Sequence, residues 1–389
     1  MASHPRGDHK PRAQRGWLWA ALCLASAAQS APFTPSRDTQ VLADIPAGSA
    51  HAAAPALQAS RSRPDIALPL AQFYVQRARV TGDLRLLGYA ETTLMPLLGQ
   101  SRPLPTVLIL HATILQSRHA FAASLGELTR ALTLQPENAQ AWLTRATVLR
   151  VLGRYEEALD SCDRLAKSTD TATASLCVEG LRGLTGHLQT AYDRLMALPW
   201  QSLSQAARVW RYSELGEMAE RLGRDREAEH WFVEGLKLDS EDLYMRAAYC
   251  DLLLRQARNA EVLELVRQRQ SLEPLLLRES IAEQHLGAAQ ADTSRAILRN
   301  TFAVEEERGD AVHRREQARF LLDVESQPAR ALAVAQENWR TQREPDDVLI
   351  LLRAARAAHQ PGAAQPALDF LHRQKLEDAR SNTYRETGS

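Results

Sequence analysis

AWLTRATVLRVLGRYEEALDSC, residues 141–162, carries two apolar patterns of helical period on either side of a Leu152-Gly153-Arg154-Tyr155 turn. Trp142, Ala146 and Leu149 recur before the turn, and Tyr155, Ala158 and Cys162 after it. A single helical hairpin of this size cannot bury its apolar faces alone, so a neighbouring hairpin has to cover them. The fold therefore turns on whether the chain repeats the unit.

It does, at a step of 34 residues. Arg145-Ala-Thr-Val-Leu-Arg150 has a near copy at His111-Ala-Thr-Ile-Leu-Gln116, Arg77-Ala-Arg-Val80 stands one step earlier, and the next step lands on Glu179-Gly180. Leu108, Leu115 and Leu132 correspond to Trp142, Leu149 and Ala166, with Phe121 matching Tyr155. Two helices of about 13 residues and a tight turn fill such a step, which is the signature of a helix-turn-helix repeat array.

The pattern resembles the tetratricopeptide repeat family. That family places a large residue early in the first helix, a small residue four places on, Leu-Gly before the turn, an aromatic after it and a small residue in the second helix. Trp142, Ala146, Leu152-Gly153, Tyr155 and Ala158 fill those places. The unit before supplies Leu108, Ala112, Phe121, Ala131 and Pro136, with Arg118-His119 where Leu-Gly is usual. A later unit supplies Tyr212, Gly216, Leu222-Gly223, Ala228 and Phe232, and residues 243–275 follow with Tyr244, Cys250 and Leu253. The resemblance implies an all-α, right-handed superhelical solenoid of antiparallel helix pairs. Roughly nine repeats are expected over residues 65–376, best defined at 105–138, 139–170 and 209–242, followed by a flexible C-terminal tail at 377–389.

Composition agrees with helices. The 389 residues are 45% hydrophobic and only 6% aromatic, dominated by residues that lose little rotamer freedom in a helix. Lys plus Arg equals Asp plus Glu at 47 each, so no net field favours a phosphate backbone, and nucleic acid is excluded as the expected partner.

The N-terminus reads as a targeting segment. Arg6, Lys10, Arg12 and Arg15 precede the apolar run from Gly16 to Ala25, and small residues lead to Ala28-Gln29-Ser30. This describes a signal peptide over residues 1–30 cleaved after Ser30, giving a periplasmic or otherwise exported protein. An uncleaved anchor is the alternative, against which stands an apolar run short of the ~20 residues that span a bilayer. Residues 31–64, rich in Ala, Pro and Ser, read as a lead-in.

No motif for chemistry emerges. Walker, Gly-x-Gly-x-x-Gly, His-Glu-x-x-His and Gly-x-Ser-x-Gly patterns are missing, so no catalytic residue, cofactor or metal ligand is assigned. Gly180 and Gly183 read as close packing. Past the signal, Cys162, Cys177 and Cys250 make an odd, unpatterned set, which argues against a disulfide framework; a Cys162–Cys177 bridge is the unfavoured alternative. The 34-residue ladder of Arg77, His111, Arg145 and Glu179 suggests an ion pair between Arg145 and Glu179, or else long side chains reaching for water.

In the family that this chain resembles, first helices line a groove that holds a peptide or protein segment. The groove places here include Ile109, Thr113, Leu143, Thr147 and Glu217, with Arg150, Trp210, Arg221, Tyr244 and Arg255 as the expected partner-binding residues, since aromatic and Arg side chains dominate hot spots. Ile109, Thr113, Leu143 and Thr147 stand where the carboxylate clamp of chaperone-binding members has Lys and Asn. The expected function is a non-enzymatic scaffold or adaptor of the bacterial cell envelope with a protein partner, no small-molecule substrate, and membrane contact only if the N-terminal segment stays uncleaved. The alternative is a regulatory or recognition subunit of an envelope enzyme or a polysaccharide or secretion complex.

Overall fold

The structure, a computed structural model, describes residues 63–199, 201, 203–267, 273–309 and 312–385. The signal peptide, its cleavage site, nearly all of the lead-in and residues 386–389 lie outside the described residues. The described residues all belong to one compact unit, Leu57–Ser389.

Among the described residues the elements are helices alone, arranged as nine consecutive hairpins. The first four pair α1 (Pro64–Thr81) with α2 (Arg85–Leu98), α3 (Pro105–Ser117) with α4 (Phe121–Leu134), α5 (Ala139–Val151) with α6 (Tyr155–Leu165), and α7 (Thr171–Arg182) with α8 (Leu188–Ala197). The fifth to seventh pair α9 (Gln205–Arg221) with α10 (Asp225–Leu238), α11 (Leu243–Arg255) with α12 (Asn259–Val266), and α13 (Glu273–Leu286) with α14 (Ala291–Arg308). The last two pair α15 (Arg314–Asp323) with α16 (Pro328–Trp339) and α17 (Pro345–Ala357) with α18 (Gln365–Gln374), after which a short α19 (Asn382–Arg385) ends the described chain.

Local chemistry sets where each hairpin begins and turns. Four first helices open on a side chain that accepts from a backbone N–H one turn in: Asn138 from Ala141 at 2.9 Å, Asp170 from Thr173 at 2.8 Å, Ser204 from Ala207 at 3.2 Å and Asp242 from Met245 at 2.8 Å. Each satisfies one of the donors orphaned at a helix start. The turn within the third hairpin is closed by Gly153 N–H to Arg150 C=O and Arg154 N–H to Leu149 C=O, both 2.9 Å, with Gly153 at φ +71°. That is the Schellman arrangement, which needs a left-handed residue just past the helix. The same closure recurs with His119, Ala257 and His359 in the left-handed place, at φ +57°, +57° and +56°. These three side chains explain why Leu-Gly is absent from their turns although the geometry is kept.

Small residues let neighbouring helices meet. Ala112, Ala146, Ala158 and Ala228 are buried, and a Cβ on Gly216 would run into the Phe232 ring. Between the third and fourth hairpins the contact is covalent, for Cys162 on α6 and Cys177 on α7 form a disulfide with Cα atoms 5.7 Å apart. This corrects the expectation of unpaired thiols: packing of one second helix on the next first helix brings together residues that no motif links. Cys250 is buried with a free thiol, whose pKa burial pushes up to about 12.

The Arg145–Glu179 pair does not form. Arg145 donates to Ser161 Oγ and to the Glu157 carbonyl at 3.4 Å, whereas Glu179 takes Arg182 at 2.8 Å and Arg194 at 3.3 Å. His111 likewise lies 3.5 Å from Glu127. Arg145 and Glu179 thus pair within their own hairpins, while His111 lies between Glu127 of its own second helix and Glu91 of the preceding hairpin, 3.7 Å away.

The array also folds back on itself. Arg343, in the loop before α17, gives its N–H to the Val151 carbonyl at 2.8 Å and takes the Tyr155 hydroxyl on its own carbonyl at 3.1 Å. Phe370 of α18 covers Gly153 so closely that a Cβ there would lie 2.8 Å from the ring. Lys375 covers Gly186, Ala379 covers Gly223, and Glu377 accepts the Leu188 N–H at 3.2 Å. One hydrophobic core therefore holds Ala146, Tyr155 and Leu184 together with Leu351, Phe370 and Leu376. Within residues 377–389, expected as a flexible C-terminal tail, Asp378 and Ser381 are buried, whereas Glu377, Ala379, Asn382 and Thr383 are exposed.

Candidate partner-binding surface

Folding back brings first helices from distant hairpins around one charged surface. At its centre is α9, where Glu214, Glu217 and Glu220 follow one another a turn apart. Glu214 and Glu220 are buried. Their space is made by α7: a Cβ on Gly180 would lie 3.2 Å from the Glu214 carboxylate, and one on Gly183 would lie 3.4 Å from the Arg221 guanidinium. The Gly180-x-x-Gly183 spacing thus serves close packing, Gly180 against the Glu214 carboxylate and Gly183 against the Met218 methyl, 2.8 Å from such a Cβ, and then Arg221.

Arginines face all three glutamates, with Arg150 shared by two of them. Arg150, reaching from α5 across the intervening hairpin, donates to Glu214 Oε1 and lies 3.4 Å from Glu217. Trp210 gives its indole N–H to the same Glu214 oxygen at 3.1 Å, and the Tyr244 hydroxyl donates to Glu217 at 2.5 Å. Arg255 bridges Glu220 at 2.5 Å and Asp225 at 3.2 Å. Arg380 lies 3.9 Å from Glu220, 3.1 Å from Asp346 and 2.8 Å from Asp378. A neighbouring set continues the surface, with Asp251 held between Arg278 at 2.6 Å and Arg319 at 2.8 Å, and Arg315 against Glu344 at 3.3 Å and Asp347 at 3.5 Å.

Enclosure shifts these groups in opposite senses. Glu217 is pushed up to about 7, by burial first and by the like charge of Glu214 next, against the pull of Arg150. Burial also raises Asp251, but its two guanidiniums outweigh that and hold it below the usual carboxylate range. Burial lowers Arg221, partly offset by Asp378 and Glu217. Around α9 and the start of α17 the carboxyl groups of residues 214, 217, 220, 344, 346, 347 and 378 face the guanidiniums of 150, 221, 255, 315 and 380, and Asp347, like Glu217, is pushed up to about 7, by burial first.

Four of the five residues expected to bind a partner converge on the α9 glutamates: Arg150, Trp210, Tyr244 and Arg255. Tyr244 is the most open, with 58% of its surface accessible. Arg221 differs from expectation, for it is fully buried and donates to the Gly183 carbonyl, since its place on α9 faces α7. Ile109 is buried as well. Reading the sequence passed over Glu214, Glu220, Asp346 and Arg380. The three-residue spacing of Glu214, Glu217 and Glu220 was a visible signal; the reach of Arg380 from the far end of the chain was not. Among the described residues no cluster of His, Cys, Asp and Glu is arranged to hold a metal, and no helix is long and apolar enough to cross a membrane.

The fold is tetratricopeptide-like. No family of known sequences matches the chain, and no curated protein does. Solved structures similar to it include Pseudomonas aeruginosa PilF (15% identity over 64% of this chain and 94% of that one, TM-score 0.33). Another is a tetratricopeptide repeat protein from Parabacteroides merdae (15% identity, 72% and 96% coverage, TM-score 0.32). A third is the human IFIT1 dimer with PPP-AAAA (10% identity, 88% of each chain, TM-score 0.42). These are partial superpositions, and the fold stands on the succession of capped hairpins in the chain itself.

Proposed function

We propose that the chain is a non-enzymatic scaffold exported to a bacterial cell envelope, where its first-helix surface holds a segment of a protein partner. The observation that carries this is Tyr244: a large aromatic side chain left more than half accessible, its hydroxyl fixed by Glu217 among oriented arginines and carboxylates. Aromatic and Arg anchors set in such a frame are what interface hot spots consist of. Export is supported by the signal-like N-terminus and by the Cys162–Cys177 disulfide, since structural disulfides persist in oxidising compartments and are rare in reducing cytosol.

Two measurements test the reading. Fractionated cells should yield a chain lacking residues 1–30 outside the cytoplasm; a full-length cytoplasmic chain ends the export proposal. A partner retained by the wild-type chain should be lost from a Tyr244→Ala variant of unchanged melting temperature, whereas retention by both would remove this surface from the interface.

A further inference from the structure

We propose that the outer flank of α1 is a dimer interface, on which a second copy of the chain packs its own α1 antiparallel about a two-fold axis.

Ile66, Leu70, Phe73 and Arg77 follow at steps of four, three and four residues along α1, on a flank away from its buried Ala67, Ala71, Val75 and Ala78. All four are exposed, Phe73 to 57%. The Tyr74 ring extends this apolar surface to the exposed Tyr89 of α2, with centroids 5.9 Å from Phe73 and 5.7 Å from Tyr89. The 34-residue step shows what such a face does elsewhere in the array. Phe73 stands one step before Val107 and two before Ala141, and both of those are buried. Val107 packs with Ala67 and Leu97 of the hairpin before it, and Ala141 with Leu108 and Leu128 of its own predecessor. Among the described residues no hairpin precedes α1, so the place that its successors bury is open in the first unit. A stack of hairpins needs its end face polar or covered, and this one is apolar.

Three features favour a second copy as the cover. The spacing of four, three and four is that of a two-helix seam, so the face suits another helix of the same spacing. Phe370 and Leu371 of the last hairpin lie in one core with Tyr155 and Leu184, so the far end of the array is taken up by its own closure and an isologous contact of the first face with itself remains. Finally, α1 complements itself in reverse, with Asp65 in its first turn, Arg79 in its last and Arg77 just before. Antiparallel pairing sets acidic starts beside basic ends and layers Leu70 on Phe73 and the Arg77 stem on Ile66, whereas parallel pairing brings like charges together.

The test is sedimentation velocity on the full chain over a wide concentration range, where wild type should pass from monomer to dimer. Leu70→Glu with Phe73→Glu should weaken self-association at least about a hundredfold at unchanged helical content, because each copy then buries unpaired charge. Leu70→Ala with Phe73→Ala should weaken it at least about tenfold, and stands in if the Glu pair does not fold. Mixed chains carrying either Leu70→Cys or Phe73→Cys should cross-link to each other faster than each to itself. A chain that stays monomeric throughout overturns the proposal. So does a dimer that both double variants leave intact, which would assign association to residues 1–62 or to another surface. Faster cross-linking of like with like would overturn the antiparallel arrangement.

Discussion

At the scale of single residues, the turns separate what glycine supplies from what the repeat demands. Ala257 sits at φ +57° in the turn between α11 and α12, is exposed, and closes the same backbone bonds as Gly153. A left-handed alanine costs about 1–2 kcal/mol, of which glycine's greater freedom in the unfolded chain returns about half. Ala257→Gly should therefore stabilise the chain by about 0.5–1 kcal/mol, read as a raised denaturation midpoint. Glu217 makes a second prediction at this scale. Its folded pKa of about 7 lies above the ordinary carboxyl value, so the folded state binds a proton that the unfolded state releases first. The resulting stability is complete below the unfolded pKa and is lost as pH rises through about 7. Between pH 5 and 8 the melting temperature of wild type should fall relative to Glu217→Gln, and parallel curves would contradict the shift.

At the scale of elements, the hairpin was legible wherever its turn carried its own chemistry. Leu152-Gly153-Arg154-Tyr155 shows the end of α5, the left-handed residue and the anchor of α6 in four letters. Arg118-His119 hides the same turn because histidine tolerates the left-handed place without announcing it. Fixing helices did not fix partners: the Arg145 ladder place is periodic, yet whether it faces its own hairpin or the next depends on how the two helices are rotated, which spacing alone leaves open. The Cys162–Cys177 bridge was missed for a related reason, as it joins α6 to α7 across a unit boundary. It closes a loop of about 15 residues, for which chain entropy predicts a contribution of about 3 kcal/mol. Cys162→Ser with Cys177→Ser should lose about that amount in denaturant unfolding, and the loss should be matched by wild type under reducing conditions.

At the scale of the whole folded unit, the contacts that close the array join residues such as Tyr155 and Arg343, 188 positions apart, which no 34-residue period encodes. The candidate surface was legible in part for this reason: Arg150, Tyr244 and Arg255 follow from repeat register, while Asp346 and Arg380 arrive only through closure. An array of independent hairpins would have stability set by nearest neighbours. Two glycines distinguish the cases. Gly287 at φ +63° has nothing near its missing Cβ, and Gly153 at φ +71° has Phe370 and Arg343 within 3.0 Å. Gly287→Ala should cost about 0.5–1 kcal/mol net for backbone alone, and Gly153→Ala more, because it also pushes away the ninth hairpin. Equal costs would show that the closing contact contributes nothing.

Synthesis order gives the ring-stacked Gly153 turn a further meaning. The third hairpin leaves the ribosome long before Phe370 and Arg343 exist, so Tyr155 and the bare turn beside it wait uncovered for more than half of translation. A transcript cut short before residue 370 would release an otherwise well-paired stack with a permanently sticky edge, a ready substrate for chaperones and proteases.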